Sequence, residues 1–563
     1  MFTLAAYTQH FDPVGNSLLA STIFASLPLI ALFVLLGGLK WKAQWAALAS
    51  LLVAILVAVI VYSMPVGQAV DSGLEGAAFG LFPIMWIVFN AIWLYNMTDR
   101  TGYFAVLRRS FERVSDDERI QAIIIAFSFG ALLEALAGFG TPVAITASML
   151  VGLGFKPMKA ATVALVSNTA PVAFGAIAIP IITLAGITDL PKDDLGAMVG
   201  RQTPFLALVV PLILVGMVDG MRGVRQCWPA AMVGGFAFAI GQYACSNFLS
   251  VELTDIVAAL LSVGALVAFL RVWQPSEPLR AEPRFARPPA MAGGSAVDAT
   301  FDAEVRRREG PGEGRSDSRK DILTAYAPYV IVIAIFGIAQ IGAVKTALAD
   351  TITTFQWPGL DILNAKGEAP TAVTYTVNYL PAAGSLLLIA GLISMLVMRV
   401  SPGRAIRIYG DTLNQLKWAT LTVMAVLGLA YVMNLSGQTT TIGQWIAGAG
   451  SVLPFLSPII GWLGVAVTGS DTSSNSLFGV LQVTAAKDAG FDPTLLAAAN
   501  SSGGVLGKMI SPQNLAIGAA AVGLAGQEGA IFRKVIGWSV LLLLIMCIIV
   551  YLQSTSLLSW MVV

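Results

Sequence analysis

Between Ser17 and Leu39, and again between Ala43 and Met64, the chain carries no Asp, Glu, Lys or Arg. Uncharged apolar runs of this length match the hydrocarbon thickness of a bilayer. The pattern recurs to the C-terminus. Full spans are expected near 17–39, 43–64, 73–97, 159–187, 201–219, 226–247, 253–272, 323–343, 381–398, 416–436, 494–520 and 535–553. Two more apolar stretches, about 120–155 and 452–487, are interrupted near their middles by Gly, Pro, Ser or Asp. Each reads as a re-entrant hairpin or a pair of spans, with both ends on one side. The expected fold is an all-α polytopic membrane protein with about twelve spans plus these two segments. A large soluble helical protein is the competing reading. It is disfavoured because only 12% of the 563 residues are charged, against about 25% in soluble domains.

Charge then orients the chain, because Lys and Arg concentrate in cytoplasmic loops. Taking the loop with Arg100, Arg108, Arg109, Arg113 and Arg119 as cytoplasmic, the sides alternate along the chain. Of the 33 Lys and Arg residues, only Lys192, Arg201, Lys345, Lys366 and Lys487 then fall outside, and only Lys508 falls within a span. Both termini come out extracytoplasmic. Residues 1–16 lack Lys and Arg, so no signal-peptide n-region is apparent and the first apolar stretch is expected to remain as a span. The segment 274–321, with Arg306, Arg307 and Arg308, is too polar to form a core and is expected to be a cytoplasmic linker. Its basic run would sit beside anionic lipid or simply be solvated. The outer segment 344–380, with Trp357, Pro358 and Gly359, is expected to be an interfacial loop.

Several function classes are excluded or disfavoured. A formal net charge of +1 gives no reason to expect a nucleic-acid partner. The single histidine, His10, cannot supply a bis-histidine haem site. Cys227, Cys245 and Cys547 form no CxxC pair, and there is no P-loop. No cofactor and no metal site is implied, and an enzyme is not expected.

An internal repeat is visible. Gly154-Phe155-Lys156-Pro157 is followed by Asn168, Gly175 and Pro180, and Gly490-Phe491-Asp492-Pro493 by Asn500, Gly507 and Pro512. The Asn–Gly–Pro spacing is the same in both, seven residues and then five. Each copy follows an interrupted stretch that itself follows three spans. The units are 17–219 and 323–553, joined by a helix pair at 226–272. By charge, the first starts outside and the second inside, which is an inverted-topology repeat. Chance recurrence of small residues in Gly-rich helices is the alternative.

The chemistry is concentrated at the interruptions. Glu134 precedes Gly138, Gly140, Thr141 and Pro142, and an intramembrane carboxylate is a functional candidate by default. Gly and Pro free backbone groups that must face protein or water. In Ser167-Asn168-Thr169-Ala170-Pro171, Pro171 suits the first position of a second half-helix, whose N-terminus would attract a carboxylate. Asn500 to Gly504 is the equivalent stretch in the second unit. From Thr468 to Asn475 every residue except Gly469 carries a polar side chain. Ser470, Thr472, Ser474 and Asn475 are able to hydrogen-bond both the carboxylate and the hydroxyl of a hydroxy acid. Asp471 is able to carry a proton or ligate Na⁺. Lys508 would pair with the substrate carboxylate, Glu134 or Asp471. The plainer readings are a structural ion pair for Glu134 and Lys508, kinks for the Asn motifs, and a solvated loop for 468–475.

At these residues the chain resembles the lactate permease family, which includes L-lactate and glycolate permeases. The matching stretches are LEALAGFGTPVAI (133–145), VSNTAPVAFGAIAIP (166–180), TGSDTSSNSLF (468–478) and NSSGGVLGKMISPQNLAI (500–517). The resemblance implies a bacterial inner-membrane carrier that takes up lactate or glycolate with protons. Glu134 and Asp471 would then serve proton coupling. Asn168, Thr169, Ser470, Thr472, Ser474, Asn475, Asn500, Lys508, Gly138, Gly140 and Thr141 would line the substrate site. Na⁺-coupled carriage of an organic anion is the alternative in the same class; a channel and a redox subunit are alternatives from other classes.

Overall fold

A computed structural model describes residues 6–563, except 40, 113, 139, 280–316, 340, 365–366 and 525–526. Nearly all of the expected linker, including Arg306–Arg308, lies outside the described residues. The chain is a bundle of helices. Among the described residues, nine helices are long and apolar enough to cross a membrane, or ten if one bent pair counts as a span.

The differences from the expected twelve spans have local causes. The 201–219 and 226–247 spans form one element, Pro204–Phe248, without a loop; Asp219 and Gly220 leave helical geometry between them. Thr254–Phe269 and Ala383–Val397 are apolar but short. The 494–520 stretch is not one helix. It ends at Gly507, passes through a tight turn at Lys508–Ile510, and restarts at Pro512. Proline lacks the N–H to continue a helix but suits its first turn. The 159–187 stretch is likewise broken, with Pro157–Ser167 and Val172–Thr188 bent by 66°. Both interrupted stretches are hairpins of two helices, Glu118–Ala137 with Thr141–Gly152 and Leu453–Thr468 with Asp471–Ala489.

The segment 344–380 is more ordered than an interfacial loop. It holds the helix Gly342–Ala349 and the antiparallel pair Thr353–Gln356 with Thr374–Val377. Ile362–Leu363 pairs in parallel with Tyr7–Thr8, tying the N-terminal segment to it. Short exposed strands carry too few apolar positions to show a period.

Ion pairs and hydrogen bonds join segments that the charge pattern assigns to one face. Arg109 pairs with Asp317 at 2.8 Å and Arg100 with Asp411 at 2.5 Å. The fully buried Arg119 holds Asp117 at 2.7 Å, Asp219 at 3.0 Å and the Glu277 carbonyl at 2.7 Å. On the opposite set of loops, Lys192 meets Glu252 at 2.5 Å and Arg201 donates to the Met561 carbonyl at 3.1 Å.

The hairpins and broken helices cross over. The second hairpin's Asp471–Ala489 packs on the first broken helix at Gly175–Thr188, and the first hairpin's Thr141–Gly152 packs on Pro512–Ala521. Helix Leu453–Thr468 lies directly against Pro493–Gly507. Gly461 faces the Asn500 backbone, Gly503 the Pro458 backbone and Gly507 the Trp462 carbonyl. Small residues permit such approach where lipid supplies no hydrophobic drive between helices.

Gly503→Val should therefore force these helices apart, at a cost of about 1–3 kcal/mol or more. Thermal unfolding in detergent should show a clear drop in midpoint; an unchanged midpoint would mean that the helices are not in backbone contact there.

Candidate functional site

Glu134 sits in the last turn of the Gly130–Ala137 helix. That helix ends because Gly138 takes φ +49°, and Gly140, at φ +81°, starts the next one. The left-handed region is cheap only for glycine. Glu134 is buried and fully committed. Its Oε1 accepts from Lys508 Nζ at 2.7 Å and its Oε2 from Asn168 Nδ2 at 2.9 Å. Gly175 makes room for it, because a Cβ there would lie 2.7 Å from Glu134 Oε1. The ion pair thus links the first hairpin, the first broken helix and the second broken helix.

The first broken helix is interrupted at Asn168–Pro171 and distorted again ahead of Pro180, whereas the second is interrupted directly before Pro512. Ala176, Ile177 and Ala178 adopt left-handed φ of 46°, 59° and 57° ahead of Pro180. Each such residue costs about 1–2 kcal/mol, and strain of this kind persists only where packing imposes it. The second break is Lys508–Ser511, ahead of Pro512. In the repeat alignment Ala176–Ala178 correspond to Lys508–Ile510, so the single cation stands at the break of one copy only. The break expected at Asn500–Gly504 is instead continuous helix, and the restart expected at Pro171 begins at Val172.

Asp471 opens the helix Asp471–Ala489, with Ser470 as N-cap accepting from the Ser473 N–H at 3.2 Å. Ser501 Oγ donates to Asp471 Oδ2 at 2.6 Å. Oδ1 has no hydrogen-bond partner among the described residues. Gly504 packs against that oxygen, leaving no space for a side chain.

A cavity of about 850 Å³ joins these groups. Glu134, Gly138, Ser470, Asp471, Thr472 and Lys508 line it, as do Thr468 and Ser473 from the polar run 468–475 and Gln513, none of which the sequence assigned individually to the site. Its lining extends to Glu528 and to the exposed Trp41, Lys42 and Trp418. The starts of the helices at Asp471 and Pro512 both reach it, presenting first-turn N–H groups.

The other expected residues lie behind this surface. Asn168 supports Glu134, and its own Oδ1 is unpartnered among the described residues. Thr169 Oγ1 donates to the Val166 carbonyl at 2.8 Å and Ser474 Oγ to the Gly461 carbonyl at 3.1 Å. Asn475 Nδ2 donates to the Pro180 carbonyl at 3.1 Å, and Asn500 Nδ2 donates to Asn475 Oδ1 at 2.9 Å. Gly140 packs beneath Ile517, and the Thr141 N–H bonds to the Gly138 carbonyl at 3.1 Å.

A bundle of spanning helices, interrupted around a buried ion pair at the base of an open cavity, defines a multi-pass membrane transporter. The chain matches the L-lactate permease family over residues 21–557 and belongs to it. It is 43% identical to the L-lactate permease of Bacillus subtilis, over 99% of this chain and all of that one. It is 40% identical to the glycolate permease GlcA of Escherichia coli, over 98% of each. Among solved structures it is similar to MtrF of Neisseria gonorrhoeae at 15% identity and a TM-score of 0.43, covering 85% of this chain and 82% of that one.

The pair makes a stability prediction. Lys508→Met leaves Glu134 buried without a cation, and breaking a buried pair this way costs about 3–5 kcal/mol. Adding Glu134→Gln to the same chain should recover most of that loss in unfolding experiments. Equal losses in the single and double variants would contradict the pairing.

Proposed function

We propose that this protein is a proton-coupled symporter for small 2-hydroxy monocarboxylates, L-lactate above all, with D-lactate and glycolate in the same class. The carrying observation is the Lys508–Glu134 pair at 2.7 Å on the cavity wall. Charge arithmetic links this pair to proton uptake. The pair is neutral overall. A lactate anion drawn to Lys508 would leave two carboxylates around one buried cation, which low dielectric strongly disfavours. The arrangement closes when Glu134 takes a proton as lactate takes Lys508. Asp471 is the second carboxyl able to hold a proton. Ser470, Thr472, Ser473 and the helix starts at Asp471 and Pro512 offer donors and acceptors for the carboxylate and the 2-hydroxyl. Asn168, Thr169, Ser474, Asn475 and Asn500 act from behind, by holding the breaks in shape.

The units 17–219 and 323–553 act as inverted repeats, with 226–272 between them. In support, the distortions ahead of Pro180 and Pro512 fall at matched positions, and each hairpin packs on the broken helix of the other unit. The protein lies in the bacterial inner membrane with both termini extracytoplasmic and the 274–321 linker inside. The cavity mouth at Lys42, Trp418 and Glu528 belongs to the face assigned as cytoplasmic, so this conformation is inward-open. The names of the relatives, L-lactate permease and glycolate permease, support the substrate class.

Proteoliposomes in Na⁺-free buffer with an acidic exterior should concentrate labelled L-lactate, and an uncoupler should abolish the accumulation. Accumulation that requires Na⁺ and ignores the uncoupler would overturn the proton reading. Lys508→Ala should raise the KM for lactate about ten- to a hundredfold, the range for losing a hydrogen bond to a charged group; unchanged uptake kinetics would remove Lys508 from the substrate site.

A further inference from the structure

Asp255 is a buried carboxyl that lies outside the cavity and takes no part in the scheme above. Asp255 sits in the first turn of the helix Thr254–Phe269 and is fully buried. Its Oδ1 accepts from Gln242 Nε2 at 3.2 Å. Its Oδ2 has no hydrogen-bond partner, and no cation pairs with it, among the described residues. A carboxyl placed this way gains little structurally, because one neutral hydrogen bond does not offset burial of a charge.

Its surroundings connect it to the ion pair. Gln242 Nε2 also donates to the Ala170 carbonyl at 3.3 Å, and Gln242 Oε1 accepts from Thr203 Oγ1 at 3.1 Å. Ala170 lies two residues beyond Asn168, which holds Glu134 Oε2. The Thr254–Phe269 helix packs directly on Gly130–Ala137, the helix that carries Glu134. In the other direction the chain leads from Asp255 to a charged surface. Glu252 pairs with Lys192 at 2.5 Å and accepts from Ser250 Oγ at 2.8 Å. That surface belongs to the face opposite the cavity mouth.

We propose that Asp255 is a proton-exchanging carboxyl that serves Glu134 from the extracytoplasmic face, held in line with the Asn168–Ala170 break by Gln242. The inference rests on the proton-coupled reading. In the step, the neutral Asp255 acid gives its Oδ2 proton, along intervening water, to the Glu134 carboxylate. Asp255 becomes the anion and Glu134 the neutral acid. Lys508 is left without an anion and takes the substrate carboxylate. Asp255 then regains a proton from the extracytoplasmic side, and no other bond changes. The ion pair keeps the route from leaking, because Glu134 accepts the proton only as Lys508 changes partner.

The ionisable groups facing Asp255 are few. Glu134 faces it from the hairpin, Cys245 from the long helix, and Glu252, already paired with Lys192, from the preceding loop. The adjoining segments Ala122–Phe129 and Gly175–Thr188 contain no ionisable side chain.

The test compares Asp255→Asn and Asp255→Glu in proteoliposomes, each first shown to be monodisperse. Two modes are read: net L-lactate uptake driven by a pH gradient, and exchange of labelled for unlabelled lactate without one. Asparagine keeps the hydrogen bond to Gln242 but cannot carry the proton. Net uptake in Asp255→Asn should fall about a hundredfold, the scale for losing a positioned proton-transfer group, while exchange persists. Glutamate should restore net uptake with a shifted pH profile. Wild-type net uptake in Asp255→Asn, or equal loss of both modes, would overturn the proposal. So would a pattern in which asparagine works and glutamate does not, since that marks a structural role. Loss of uncoupler sensitivity in the unsubstituted protein would instead overturn the proton-coupled reading itself.

Discussion

The Lys508–Glu134 ion pair is the interaction around which the centre of the molecule is arranged. Burying two charges among spanning helices is costly unless their geometry and remaining hydrogen bonds are satisfied. The surrounding residues meet that demand: Asn168 takes the second carboxylate oxygen, Gly175 clears space for the first, and the break before Pro512 carries the lysine. Because the partners come from opposite ends of the sequence, the pair also fastens the first hairpin to the second broken helix. The Asn475–Pro180 contact is the counterpart on the other diagonal. One of these two fastenings is ionic and the other is neutral. A negatively charged ligand would compete only with the ionic one, so in the proposed mechanism substrate arrival and helix attachment are coupled at a single point.

The rest of the fold packs helices closely on one side of that region and leaves a cavity on the other. Glycines bring the Leu453–Thr468 and Pro493–Gly507 helices to backbone contact, closing the region behind Asp471. The cavity instead reaches the face that carries Lys42 and Glu528. Arg119, buried among carboxylates and a carbonyl, pins the kink at Asp219–Gly220 to neighbouring loops of the same face. Arg119 and its partners thus hold loops together, and the pair of Glu134 and Lys508 marks the candidate site.

Much of this was legible in the sequence, for a physical reason. A charged residue in an apolar run is conspicuous, so Glu134, Asp471 and Lys508 stood out, and Gly138–Pro142 and Gly469–Ser470 marked the hairpin tips. The roles of Asn475, Asn500, Ser474 and Thr169 were not legible. Their polarity suggested ligand contacts, but they satisfy carbonyls and one another across helix interfaces. Gly503 and Gly504 looked like a helix break and are close-packing positions, since glycine serves both purposes and sequence alone does not separate them. Gln513 and Thr468 reach the cavity only because two breaks converge there. The short strands near 353–377 were not legible because four residues are too few to establish a period.

The most direct test of the central claim is to count protons when substrate binds. Calorimetric titration of L-lactate into the purified protein, repeated in buffers of different ionisation enthalpy, reads the protons taken up per ligand. If Glu134 gives up Lys508 to lactate, about one proton should be taken up per lactate at neutral pH, and Glu134→Gln should bind lactate with none. Binding without proton uptake in the unsubstituted protein, or the same uptake in Glu134→Gln, would contradict the account.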